Sequence, residues 1–141
     1  MALDGEKVCQ KALKVAGEEV RKIEVQTAIE KHNKYSEKIG YKEIKVLPMY
    51  GPRNKKICPI GIRVRFTPKQ AAKQAKLKAS GKYRATYWDK VKGLWYNNYG
   101  FYHNRTHNYV AGTDWIGVAF DKSQDKAYEI IQEELEKGLK L

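Results

Sequence analysis

Cysteine is scarce: Cys9 and Cys58 are the only two in 141 residues. Two thiols cannot build a disulfide framework or a four-cysteine zinc module. Both sit in ordinary apolar contexts, so reduced thiols are expected. Long hydrophobic runs are missing as well, and nothing approaches the ~20 apolar residues of a membrane span. The opening Met-Ala-Leu-Asp-Gly-Glu-Lys has no apolar run behind a basic start, so neither a secreted nor an integral-membrane protein is expected. There is no phosphate loop, nucleophile elbow or dinucleotide fingerprint. Internal repeats and low-complexity tracts are absent too. Acidic residues are missing from the middle: residues 41–111 hold only Glu43 and Asp89, against 16 lysines and arginines.

What is present suffices for a core. Hydrophobic residues make up 42% of the chain, with three Trp, ten Tyr and three Phe among them, which excludes disorder of the whole chain. The length suits a single domain spanning 1–141. The net charge of +12 is uneven. Residues 1–40 carry about one net positive charge, the central block +14, and residues 112–141 about −3. A concentrated cation of this kind attracts polyanions or acidic protein surfaces; the alternative is a plainly solvated face.

Periodicity gives the elements. Val8, Ala12, Val15, Ala16, Val20, Ile23 and Thr27 recur at three- and four-residue steps, predicting a long first helix with Asp4 as its N-cap and Gly40 as its stop. Tyr41 to Leu47 alternates polar and apolar residues, as does Ile60 to Phe66, predicting two strands able to form a hairpin. Thr67-Pro68 starts a second helix that Gly81 ends. Its apolar side is only Ala72, Ala75, Leu77 and Ala79, which is thin burial. The aromatics of 83–102 suit strands, and 103–114 reads as a loop. A last helix begins near Thr113 or Asp114, with Phe120, Ala127, Ile131 and Leu135 as its buried stripe and glutamates outside. The predicted fold is α+β: long N-terminal and C-terminal helices on a small, mostly antiparallel sheet, with a basic helical insertion at 67–82.

Chemistry-bearing clusters are few. His103 and His107 have a two-ligand spacing only on a helix, and their Asn, Arg and Thr neighbours point to a loop, so no metal, cofactor or catalytic site is expected. Lys69, Lys73 and Lys76 share one helix face, and Lys78, Lys82 and Arg84 continue the cationic run. Like charges at these steps repel. These six residues are the candidate contacts to a polyanion. Trp95, Tyr96, Tyr99, Phe101 and Trp115 are the candidate subunit-contact residues, since Tyr and Trp are enriched in interface cores; the alternative is a monomer core.

The order of these segments resembles the tail-completion, or head–tail joining, proteins of tailed bacteriophages and prophages. The likeness rests on Lys11-Ala-Leu-Lys-Val-Ala-Gly-Glu-Glu-Val20, on Ser36-Glu-Lys leading into Tyr41–Val46, and on Gly93-Leu-Trp-Tyr-Asn-Asn-Tyr-Gly100. It continues with Asp114-Trp-Ile-Gly-Val-Ala-Phe120 and a closing Glu-Glu-Leu-Glu-Lys-Gly-Leu. The Lys-rich segment 67–82 is longer and more basic than that pattern. The resemblance implies a structural virion protein of the neck that is made in the host cytoplasm. It would form a ring, hexameric by resemblance, between the head connector and the tail tube. Its neighbours would be other neck and tail-terminator proteins, with DNA passing through the channel and no membrane partner. Two other classes stay open: a sequence-nonspecific nucleic-acid-binding module, with aromatics stacking on bases, and a small RNA-acting enzyme or toxin using His103, Arg105 and His107.

Overall fold

A computed structural model describes residues 2–31, 38–52, 55–62, 67–82, 90–103 and 106–139. Helix α1 spans Ala2–Glu30, about 43 Å at 1.5 Å per residue. It begins before Asp4 and ends before Gly40, so neither residue has its expected capping place; Gly40 lies in a 3-10 turn, Lys38–Glu43. That turn replaces the expected strand at Tyr41-Lys42-Glu43 and delivers Ile44, fully buried, to the core. Strand β1, Lys45–Val46, then pairs antiparallel with β2, Ile60–Gly61, in register Lys45 to Gly61 and Val46 to Ile60. A further bridge joins Tyr50 and Ile57. This is the expected hairpin, shorter than predicted; residues 63–66 of the second predicted strand lie outside the described residues.

Helix α2, Pro68–Ala79, starts where its sequence signal places it. Thr67 Oγ1 accepts from the Gln70 backbone N–H at 3.2 Å, and the Gln70 side chain accepts from the Thr67 N–H at 3.0 Å. This reciprocal capping box satisfies two amide donors at the helix start. No residue of α2 is buried.

The aromatic stretch contains a helix where strands were expected. Helix α3, Gly93–Tyr99, turns at Gly100 into strand β3, Gly100–Tyr102. Strand β4, Tyr109–Ala111, pairs with β3 antiparallel, correcting the loop expected there. Helix α4, Trp115–Leu139, starts as predicted. Its buried residues are Trp115, Ala119 and Ser123. Phe120, expected in that stripe, is 61% exposed, and Val15 of α1 is exposed as well.

Helices α1 and α4 run antiparallel. Lys122 near the start of α4 reaches Glu30 at the end of α1, with Nζ to Oε2 at 3.1 Å, and Gly138 near the end of α4 lies against Val8. Small buried residues on both, Ala12, Ala16, Ala119 and Ser123, let the backbones come close. On the β1–β2 side of α1, Gly17 faces Val46 and Cys58. The core gathers Ala28, Ile44, Leu94 and Trp115, with Val25, Tyr41, Ile62 and Ile116 packed against it.

Candidate functional site

The dipeptide Asn97-Asn98 fixes the unit that carries the aromatic surface. Both residues are buried. The Asn97 side-chain amide donates to the Lys31 carbonyl at 3.2 Å, occupying a carbonyl just past the end of α1. The Asn97 carbonyl accepts from Thr113, both N–H (2.8 Å) and hydroxyl (3.1 Å). Asn98 Oδ1 accepts from the Ile116 N–H at 2.9 Å, so a side chain distant in sequence serves one of the unpaired donors at the start of α4. Trp115 Nε1 donates to the Leu94 carbonyl at 2.8 Å. Helix α3 is thereby tied to both long helices.

On this support the β3–β4 hairpin presents its aromatics by strand alternation. Phe101 and Val110 pair on the inward, half-buried face, while Tyr102 and Tyr109 pair on the outward face with ring centroids 5.2 Å apart. Tyr96 tilts against Phe101 at 5.8 Å. The Tyr109 hydroxyl donates to the Tyr99 carbonyl at 3.4 Å. It crosses over Gly100, whose φ of 89° and missing Cβ leave that path clear. Tyr96, Tyr99, Tyr102 and Tyr109 are 51%, 72%, 72% and 58% exposed. Four large tyrosines are therefore exposed on this unit, Tyr102 and Tyr109 ring to ring and Tyr96 against Phe101.

Two of the predicted contact residues, Tyr96 and Tyr99, are among these exposed tyrosines, and Trp95 and Phe101 are half-buried. Trp115 does not belong. It is 1% exposed and its indole N–H is consumed in the core, so its role is packing within one chain. Tyr109 was hidden in a segment read as loop; the Tyr-Val-Ala alternation opposite Gly-Phe-Tyr was its available signal.

The cationic candidates divide. Lys69, Lys73 and Lys76 share an exposed face of α2, and among the described residues none of the three makes an ion pair. Lys78 and Lys82 are also exposed, whereas Arg84 lies outside the described residues. In the β3–β4 turn the His103 N–H donates to the Asn108 carbonyl at 2.9 Å and the His107 N–H to the His103 carbonyl at 2.8 Å. His103 Nδ1 also faces the Thr106 N–H at 3.4 Å. His103 thus helps to close a turn, and Arg105 lies outside the described residues. Among those residues no group of three or more His, Cys, Asp or Glu is placed to hold a metal ion.

Two features carried no sequence signal. A cleft of about 660 Å³ opens between α1 and the β1–β2 hairpin, lined by Lys14, Glu18, Met49, Lys56 and Cys58 among others. Burial pushes the Cys58 thiol pKa up, and nearby Lys14 pulls it down less strongly. On α1, Glu24 Oε2 is buried with no hydrogen-bond partner among the described residues, and burial raises this carboxyl to a pKa of about 7. No helix among the described residues is long and apolar enough to cross a membrane. Protein-family models, curated proteins and solved structures give no match to this chain.

Proposed function

We propose that this protein is a structural subunit of the neck of a tailed phage or prophage particle, a tail-completion or head–tail joining protein that assembles as a ring. The observation that carries the proposal is the set of four exposed tyrosines, 51–72% exposed, on a unit braced by Asn97, Asn98 and Trp115. Large exposed apolar patches mark interaction surfaces, and a rigid support lowers the cost of ordering them on association. The segment order resembling the joining proteins supplies the location, between the head connector and the tail tube, within the virion.

The role is to make contacts, without turnover of a substrate. His103→Ala, Arg105→Ala and His107→Ala together are expected to leave particle assembly intact, at the cost of a looser hairpin turn. The decisive experiment images assembled particles carrying a labelled copy of the chain. Density at the head–tail junction is expected, with unjoined heads and tails when the gene is deleted. Density elsewhere in the particle, or none, overturns the proposal, as does a hydrolytic activity lost in the triple variant.

A further inference from the structure

We infer that the basic face of α2 docks on the acidic outer face of α4 in a second copy of this chain, so that Lys69, Lys73 and Lys76 of one copy lie along Glu129, Glu133 and Glu136 of the next. The two sets share one spacing, a step of four and then a step of three. On helices this places three like charges on one face at matching axial intervals. All six residues are exposed. The first turn and body of α2 hold no acid at all, and its three lysines make no ion pair among the described residues. On α4, among the described residues Glu129 pairs with Lys126 alone, at a distant 3.9 Å, and Lys137 pairs with Glu134, at 4.0 Å. Glu136 accepts a hydrogen bond from Gln132, and Glu133 has no ion pair among the described residues.

Each stripe repels itself along its own helix, and each is the complement of the other. A basic stripe on one element and an acidic stripe on another meet either reciprocally about a two-fold axis or head to tail, and the head-to-tail contact closes into a ring when the rotation allows. The inference rests on the ring reading for that closure alone. Exposed pairs are individually weak and salt-screened, so the contact is weak between free copies. It strengthens once neighbours hold the copies close, through the raised effective concentration.

Two reversed variants test it: one carries Lys69→Glu, Lys73→Glu and Lys76→Glu, the other Glu129→Lys, Glu133→Lys and Glu136→Lys. Isotopically labelled and unlabelled copies are mixed at low ionic strength and joined by a carbodiimide that links lysine to carboxylate without a spacer. Wild type is expected to give links between copies that join α2 to α4. Each variant alone is expected to lose them about tenfold, and the equimolar mixture of the two to regain them, because reversed charges then face each other. Restoration in the mixture cannot come from misfolded chains. Wild-type links confined to one copy, links through other faces, or no recovery in the mixture each overturns the inference. So does duplex DNA binding by wild type that the α2 variant loses while no α2–α4 link between copies forms. A chain imaged at the junction but joined through other faces sinks this contact and leaves the neck reading standing. Recovery in the mixture by a chain absent from the junction does the reverse.

Discussion

Glu24 contributes to the pH response of α1. Its carboxyl is moved by burial from an ordinary 4.5 to about 7, because a charge without a partner is disfavoured away from water. Between these values the folded chain holds a proton that the unfolded chain releases. Stability from this group is therefore undiminished below about pH 4.5, falls as pH rises to about 7, and is flat above. The full shift corresponds to about 3 kcal/mol at 1.36 kcal/mol per unit, and partial solvent contact reduces it to roughly 2. Glu24→Gln is expected to raise the melting temperature at pH 8, leave it unchanged at pH 4, and flatten the curve between. A Gln variant that melts no higher at pH 8 removes desolvation as the cause. Glu30 behaves oppositely: its hydrogen bond from Lys122 holds its pKa below the usual range, so its contribution is lost as pH falls. The thiols offer a kinetic check. Cys9 is exposed and Cys58 is partly covered with a raised pKa, so timed alkylation at neutral pH, read by mass, is expected to modify Cys9 first. Faster labelling of Cys58 would mean that the cleft does not shelter it.

Elements announced by local chemistry were legible, and those decided by long-range contact were not. Thr67-Pro68 and Gly81 bounded α2 because capping acts within a few residues. The periodicity of α1 and α4 gave both helices, although Phe120 lies one step off the Trp115, Ala119, Ser123 line and faces water. Helix α3 was missed because its buried face is Leu94, Asn97 and Asn98. That is helical spacing, but two of the three positions are amides, which an apolar count ignores. Their partners, the Lys31 carbonyl and the Ile116 N–H, lie 66 and 18 residues away in sequence. Asn98→Ala is expected to cost about 1 kcal/mol by leaving a donor at the start of α4 unpaired. Two glycines separate space from conformation. A Cβ at Gly17 would rest 3.4 Å from Cys58 Sγ and 3.5 Å from Val46, an ordinary contact, so Gly17→Ala is expected to stabilise α1 by about 0.5–1 kcal/mol. A Cβ at Gly112 would stand 2.6 Å from the Tyr99 carbonyl carbon and 2.7 Å from Gly100 N, so Gly112→Ala must displace backbone and destabilise. Thermal melts of the pair that shift in the same direction would contradict the close approach between Gly112 and the α3–β3 junction.

Across the whole molecule, the lysine face of α2, the glutamates of α4 and the exposed tyrosines of α3 and the β3–β4 hairpin lie on different elements, although α4 also exposes Phe120 and Tyr128. The lysine face was legible because charge spacing on a helix is a local property. The exposed tyrosines were legible only in part: composition marked the aromatics, but the division between inward and outward rings depends on β3–β4 register, which needs both strands. Trp115 shows the consequence, since a residue type favoured at interfaces is here spent inside the chain. Surface substitutions away from buried groups usually change stability by no more than about 0.5 kcal/mol. Tyr99→Ser and Tyr102→Ser together should therefore lower the melting transition only slightly, through the lost Tyr102–Tyr109 ring contact, because both rings are 72% exposed. Their loss removes two of the four outward rings without touching Asn97, Asn98 or Trp115. If these tyrosines make a subunit contact, a particle complemented with this variant should show fewer joined heads and tails, counted by electron microscopy, at normal levels of folded protein. Tyr109 is left in place because its hydroxyl also holds the Tyr99 carbonyl, and its removal would mix a structural loss with a surface one. Normal joining by the double variant would reduce these rings to solvated tyrosine and leave the charged helices to carry assembly.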